Sequence, residues 1–234
     1  MRTAAVILAR LDSSRLPRKQ LLHIGDQSIL EHVANACRAA GVDKVVLATT
    51  ARGLDDDLAV AGEALGLAVL RHDGPVDDVA GRFHAAMASQ NADVAFRVNG
   101  DSPCVRPALM SLAMSRWQSS GADVVTNVLR RRWPFGLSVE LISRAAMAKL
   151  IMAGLSKLES EHVTQGFYSR QDVFRIEELD GGPADGVGVQ MAVDTPTDLA
   201  RCRFMHDRLS ATWLAAPVED LVAAASAFET RGNA

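Results

Sequence analysis

Cysteine is scarce in this chain of 234 residues, which has only Cys37, Cys104 and Cys202. They are scattered and odd in number, with no CxxC pair and no Cys/His metal spacing. That pattern suits a reducing cytoplasm. An excess of positive charge is also missing. Lys and Arg number 25 against 28 Asp and Glu, a net charge of −3, so there is no bulk footprint for nucleic acid. No apolar run approaches the ~20 residues that span a bilayer, so no membrane insertion is expected. The N-terminus reaches a strand-like run at Thr3, too soon for a signal peptide. Neither a Gly-x-x-x-x-Gly-Lys-Ser/Thr loop nor a Gly-x-Gly-x-x-Gly turn occurs. No repeat, low-complexity tract or linker divides the chain, so one domain over 1–234 is expected.

What is present is alternation. With 48% hydrophobic and 23% charged residues, the chain can bury a full core. Thr3 to Ala9 reads as a buried strand. Ser28 to Glu31 reads as a helix cap before Leu30, Val33, Ala34 and Cys37, and Gly41 stops that helix. Strands are expected at Lys44–Thr49, Ala68–Leu70, Val94–Asn99 and Asp123–Asn127. Helices are expected to open at Asp55-Asp56-Asp57, Asp77-Asp78 and Pro107. This predicts an α/β fold with a doubly wound sheet and ligands at the carboxyl ends of its strands. After Asn127 the rhythm changes. Leu137–Ile142, Val173–Leu179 and Val187–Val193 read as further strands, Arg144–Ala153 and Val218–Glu229 as helices. Glu161 to Thr164 lies in or near another helix. Thr195 and Asp198 form a capping box with Pro196 at the first helical position.

The chemistry gathers at three strand ends. The first strand opens into a loop carrying Arg10, Ser13, Ser14, Arg15, Arg18 and Lys19. Guanidinium forks and an ammonium in one loop suit a polyphosphate. The Val94–Asn99 strand leads to Asp101, and the Val187–Val193 strand leads to Asp194. Two carboxylates facing a cationic loop are the layout for Mg²⁺ bridging protein and phosphate oxygens. Each aspartate also reads simply as a turn or cap residue. Glu140 reads either as a sugar-hydroxyl ligand or as the end of a strand. His162 reads either as a group polarising an acceptor hydroxyl or as a packing residue. Arg130–Arg132 reads as a solvated face or as a contact for an acidic acceptor. Cys37 and Cys202 fall on helical core stripes, and Cys104 has no evident His partner.

Taken together, the residues resemble a known family. Ala9-Arg10-x-x-Ser13-Ser14-Arg15-Leu16-Pro17-x-Lys19 resembles the signature loop of sugar-activating nucleotidyltransferases. Among these, the spore-coat polysaccharide synthesis (SpsF-type) family is most similar, with the acylneuraminate and KDO cytidylyltransferases as relatives. Ala48-Thr49-Thr50 with Asp55-Asp56, Asp78-Val79 with Arg82-Phe83, and Arg97 to Pro103 match further motifs in the same order. So do Pro134-Phe135-Gly136-Leu137 with Glu140, Glu161-His162-Val163-Thr164, and Val193 to Leu199. The resemblance spans about residues 3 to 205.

The resemblance implies a mostly parallel, three-layer Rossmann-like sheet of the nucleotide-diphospho-sugar transferase type. It implies a Mg²⁺-dependent enzyme that uses CTP or another nucleoside triphosphate. The acceptor is a sugar acid or sugar phosphate for surface polysaccharide, and pyrophosphate leaves. Ala9, Arg10, Ser14, Arg15, Lys19, Thr49, Arg82 and Asn99 would bind the nucleotide. Arg10, Lys19 and Asp101 would be catalytic, and Asp101 and Asp194 would hold Mg²⁺. Glu140, Glu161 and His162 would shape the acceptor pocket. Residues 128–180 would form an acceptor-binding or homodimerisation excursion. Asp12 and Arg18 stand where the family usually has glycine, and Ser138 where it usually has aspartate. Two other readings fit the same residues: a glycosyltransferase using a nucleotide-sugar, and a nucleotide-binding protein without turnover.

Overall fold

The first apolar run forms strand β1 (Thr3–Leu8), every residue of it buried. Its side chains alternate between two cores, Ala5 and Ile7 in one, Ala4, Val6 and Leu8 in the other. A strand buried on both faces needs helices on both sides. In the computed structural model, which describes residues 1–231, the hairpin β2 (His23–Ile24) and β3 (Gln27–Ser28) leads into α1 (Ile29–Ala39). Next come β4 (Lys44–Thr50), α2 (Asp56–Ala64), β5 (Ala68–His72), α3 (Val79–Ser89), β6 (Val94–Asn99) and α4 (Pro107–Ser120). They are followed by β7 (Val124–Thr126), β8 (Glu140–Ser143), α5 (Arg144–Met152), α6 (Lys157–Glu161), α7 (Gln165–Tyr168) and β9 (Ile176–Glu178). The last helices are α8 (Pro196–Leu209) and α9 (Val218–Arg231).

The main sheet has seven strands in the order β5-β4-β1-β6-β8-β7-β9. β1 pairs in parallel with β4 and β6, and β8 runs antiparallel to both of its neighbours. β7 and β9 are parallel to each other, so β8 alone is reversed. The doubly wound sheet expected from the alternation, mostly parallel as the resemblance implies, is therefore what forms. Leu30, Met110, Met205 and Leu221 cover one face, and Phe83, Met147 and Phe167 cover the other. Burying a side chain of that size contributes ~1.5–3 kcal/mol. The result is a three-layer α/β fold. Residues of the 128–180 segment supply β8 and β9 to this same sheet. Among the described residues, no helix is long and apolar enough to cross a membrane.

Two helix starts follow the sequence closely. The Ser28 hydroxyl accepts the Glu31 N–H at 3.1 Å, and Thr195 with Asp198 makes a reciprocal capping box before Pro196. Several strands differ from expectation. Val187–Val193 is not a strand. Gly188 turns left-handed at φ 83°, and the segment makes one bridge, Gln190 to Phe135. Val173 and Phe174 sit in a turn that closes on the Arg170 carbonyl, so β9 starts only at Ile176. The Leu137 end of its expected strand is also irregular. The Asn127 amide satisfies the Leu137 carbonyl and the Val139 N–H there, in place of a neighbouring strand. Gly136, at φ 93°, is needed at this point, since a Cβ would lie 2.5 Å from the Ala192 nitrogen.

Behind the hairpin, His32 on α1 is buried against the rings of His206 and Trp213, and its Nε2 donates to the Ile24 carbonyl at 2.8 Å. Burial pushes the His32 pKa below the ordinary 6.5, and the nearby Arg106 guanidinium acts the same way. The folded protein thus binds fewer protons here than the unfolded chain. This contribution is complete above about pH 6.5 and is lost as pH falls through that value. The urea midpoint is expected to drop between about pH 7 and pH 5, and less steeply in His32→Gln. Equal pH slopes for the two proteins would reject this source of acid sensitivity.

Candidate active site

β1 and β6 run side by side, with Leu8 in register with Asn99. The chain leaves both strands at this edge. Gly100 follows β6 and donates its N–H to the Leu8 carbonyl at 3.0 Å. A Cβ at Gly100 would lie 2.7 Å from the Ala9 side chain, so glycine permits this approach. Asp101 is therefore delivered directly beside the cationic loop.

Lys19 sits in a short 3₁₀ turn of that loop (Lys19–Leu21), its side chain 7% exposed. Its Nζ donates to Asp101 Oδ2 at 2.7 Å and to Asp194 Oδ1 at 2.6 Å. Arg15 reaches the other Asp194 oxygen at 3.1 Å, and Ser102 donates to Asp101 Oδ1 at 3.2 Å. Burial pushes the Lys19 pKa down, but the two carboxylates outweigh it and hold it above its usual value. The lysine is an ammonium ion in this setting. The two aspartates thus converge on one point from positions far apart in sequence. Asp194 comes there from an irregular segment, held where the Val193 N–H donates to the Asp101 carbonyl at 2.8 Å.

The rest of the loop is pinned by a second cluster. Asp55 is fully buried; it accepts the Leu11 N–H at 2.7 Å, a hydrogen bond from the Thr50 hydroxyl, and Arg52 at 3.0 Å. Asp55 to Asp57 open α2 as expected, with Asp55 at the N-cap position, and the Asp55 side chain anchors the loop as well. Arg52 also grips Asp12 at 2.7 Å, with Arg10 at 3.2 Å on its other oxygen. The Arg52 guanidinium, helped by Arg10, holds the Asp12 carboxyl below its usual range. Arg18 turns away to Asp57 at 2.8 Å. Its backbone is left-handed, at φ 59° and ψ 24°, a conformation that glycine adopts without cost.

Two cavities meet at this edge. One, of about 480 Å³, is lined by Ala9, Arg10, Ser14, Arg15, Lys19 and Arg82 among others. The second, of about 460 Å³, includes Arg131, Ser138, Glu140, Tyr168, Gln190 and Asp194 in its wall. Arg97, Asn99, Asp101 and His162 border both. Most residues singled out from sequence are thus brought together, with three differences. Thr49 is fully buried in β4 and lines neither cavity. Glu161 faces the first cavity, not the second. Glu140 does border the second cavity, but its oxygens are engaged. Arg97 holds one at 2.7 Å and the Tyr168 hydroxyl donates to the other at 2.7 Å.

Arg97 and Tyr168 were not legible as site residues. Arg97 lay inside a matched motif, and its position two residues before Asn99 on one strand face was the available signal. Tyr168 is the only tyrosine in the chain, and burial with the Glu140 charge pushes its pKa upward. Arg82, buried at the back of the first cavity, donates to the Val76 carbonyl at 2.8 Å. Its Nε has no partner among the described residues.

A family model described as cytidylyltransferase matches residues 4–196. The chain belongs to the cytidylyltransferase family. As a cytidylyltransferase-family protein, it has a curated relative in the 3-deoxy-manno-octulosonate cytidylyltransferase of Methylorubrum populi. The two are 33% identical, over 85% of this chain and 94% of that one. The spore coat polysaccharide biosynthesis protein SpsF of Bacillus subtilis is 26% identical over 87% of this chain and 85% of its own. A cytidylyltransferase structure from Leptospira borgpetersenii shares the fold. Its TM-score is 0.88 at 22% identity, over all of this chain and 96% of that one. The SpsF-type and KDO-type resemblance read from the motifs is borne out.

The left-handed Arg18 makes a stability prediction for this cytidylyltransferase. Arg18→Gly removes an exposed ion pair and relieves the backbone, so it is expected to stay within ~1 kcal/mol of the parent. Arg18→Val is expected to lose ~1–2 kcal/mol, because a β-branched residue fits that conformation poorly. Urea denaturation checks both, and equal losses would contradict the account.

Proposed function

We propose that the chain is a metal-dependent cytidylyltransferase that transfers CMP from CTP to a sugar acid or sugar phosphate and releases pyrophosphate. The observation that carries this reading is the pair of cavities joined at Asp101 and Asn99, one walled by the cationic loop. CTP would occupy the first cavity. Arg10, Arg15 and Lys19 would grip its triphosphate, with Ser14 and the Ala9 backbone beside them. Arg82 and Asn99 would lie toward the nucleoside. The acceptor would occupy the second cavity, where Arg131 supplies positive charge and His162 borders the junction. The acceptor oxygen attacks the α-phosphorus at that junction, and a hydroxyl acceptor gives up its proton to solvent. The bond from the α-phosphorus to the bridging oxygen breaks, and pyrophosphate leaves on the cationic side.

The residues fit a divalent cation such as Mg²⁺. Asp101 and Asp194 are hard oxygen donors that already share one cation, the Lys19 ammonium. Among the described residues no group of three or more His, Cys, Asp or Glu side chains is placed to hold a metal. Substrate phosphate and water would complete the shell, as is usual for Mg²⁺. When bound, such an ion neutralises phosphate charge as it develops in the transition state. Lys19, displaced from the carboxylates, would then turn to phosphate oxygens as a point charge.

Asp12 and Arg18 give no support to a reading without turnover. Asp12 is neutralised by two guanidiniums, and Arg18 points to Asp57. The reaction makes a direct assay. Pyrophosphate is expected from CTP and Mg²⁺ with a suitable sugar acid or sugar phosphate, and is expected to be abolished in Asp101→Asn. Lys19→Met is expected to lower turnover ~100-fold or more. No pyrophosphate from any nucleotide across a broad acceptor panel would overturn the reading. Release of free nucleotide from a sugar donor would favour a glycosyltransferase instead.

A further inference from the structure

Asp194 is not carried by a strand, so its position needs another source. On its C-terminal side that source is one carboxylate. Asp198 Oδ2 accepts the Asp194 N–H at 3.1 Å, the Thr195 N–H at 2.9 Å and the Thr195 hydroxyl at 2.8 Å. A capping box explains the Thr195 contacts, but not what holds Asp198 itself. Its Oδ1 takes Arg201 Nη1 at 2.6 Å, and Arg201 Nε donates to Glu229 Oε1 at 2.7 Å on α9. The guanidinium also stacks 5.6 Å from the Phe228 ring centre. Asp198 and Arg201 are each about one-tenth exposed, whereas Glu229 is 59% exposed. Burial pushes the Asp198 carboxyl up, but Arg201, Thr195 and the backbone N–H groups outweigh it and keep it ionised.

We propose that Arg201 and Glu229 are positioning residues for Asp194, acting through Asp198. Glu229 fixes the guanidinium plane, Arg201 fixes the Asp198 carboxylate, and Asp198 fixes the Asp194 backbone. The orientation of the Asp194 carboxylate toward Asp101 follows from that chain of contacts. Its outer anchor is the C-terminal helix, which lies beyond the 4–196 matched by the family model. This rests on the reading that Asp101 and Asp194 hold a divalent cation with CTP. A merely structural role for the triad would stabilise the α8–α9 contact without touching metal binding. A positioning role separates the two, because loss of orientation weakens the metal-dependent part of nucleotide binding alone.

The test measures CTP affinity of the full chain by calorimetry, once with Mn²⁺ and once in EDTA. The ratio of the two is the metal enhancement. In Arg201→Gln the enhancement is expected to fall about tenfold, in the range seen when groups supporting metal ligands are removed. The EDTA affinity is expected to stay unchanged. Glu229→Gln, at an exposed position, keeps the protein folded if Arg201→Gln does not. It is expected to show a smaller fall in the same direction, and no further effect once Arg201 is replaced. An unchanged enhancement in folded Arg201→Gln and Glu229→Gln, beside its loss in Asp194→Asn, would overturn this proposal and leave the parent reading intact. Equal losses with and without Mn²⁺ would also overturn it. No enhancement in the parent protein would overturn the metal reading and this proposal together.

Discussion

One ammonium ion holds the candidate site together. Lys19 lies between Asp101 and Asp194, at 2.7 and 2.6 Å, with almost no exposure to water. Without it, two partly buried carboxylates would face each other and repel. Removing Lys19 would leave that repulsion opposed, among the described residues, only by Arg15 on Asp194. The contact spans the fold: Lys19 comes from the loop after β1, Asp101 from the end of β6, and Asp194 from the approach to α8. The loop is thereby folded down over the sheet edge, and its remaining cations line the cavity beside it. The same arrangement suits exchange. A divalent ion arriving with a triphosphate would offer the carboxylates a second cationic partner, and the phosphate would give Lys19 an anion to bind.

Asp12 and Arg18, the loop residues that depart from the family pattern, are accommodated without disturbing that contact. Asp12 brings a negative charge into a cationic wall, but Arg52 and Arg10 surround it. Arg52 in turn leans on Asp55, the buried carboxylate that takes the Leu11 N–H. Asp12 therefore extends a network that already pins the loop. Arg18 occupies a left-handed turn with its side chain outside the site. Its cost is conformational, not electrostatic.

Much of the fold was legible because burial on both faces writes apolar runs into β1, β4 and β6, and helices need caps between them. The site was legible to the extent that charged residues follow those runs directly, as Arg10 to Lys19 and Asp101 do. What escaped had non-local causes. Val187–Val193 has strand-like composition, but Gly188 breaks it, and Asp194 is placed by hydrogen bonds to Asp101 and Asp198 instead. Glu140 looks like a free ligand until Arg97 and Tyr168, distant in sequence, are seen to occupy it. Asp55 looks like a helix-start charge, yet its partners Leu11 and Thr50 meet it only in the folded chain. Thr49 and Thr50 are adjacent in a motif, and only the pleat decides which of them faces the network.

We infer that Asp101, Asp194 and the Arg10–Lys19 loop together form the metal–triphosphate site. A crystal structure with CTP and Mn²⁺ tests it most directly, because the anomalous signal of manganese locates the ion without ambiguity. A manganese peak bound by Asp101 and Asp194 is expected, with the triphosphate against Arg10 and Arg15 and Lys19 moved from the carboxylates to a phosphate oxygen. A manganese peak elsewhere, with Lys19 still bridging the two aspartates in the nucleotide complex, would contradict it.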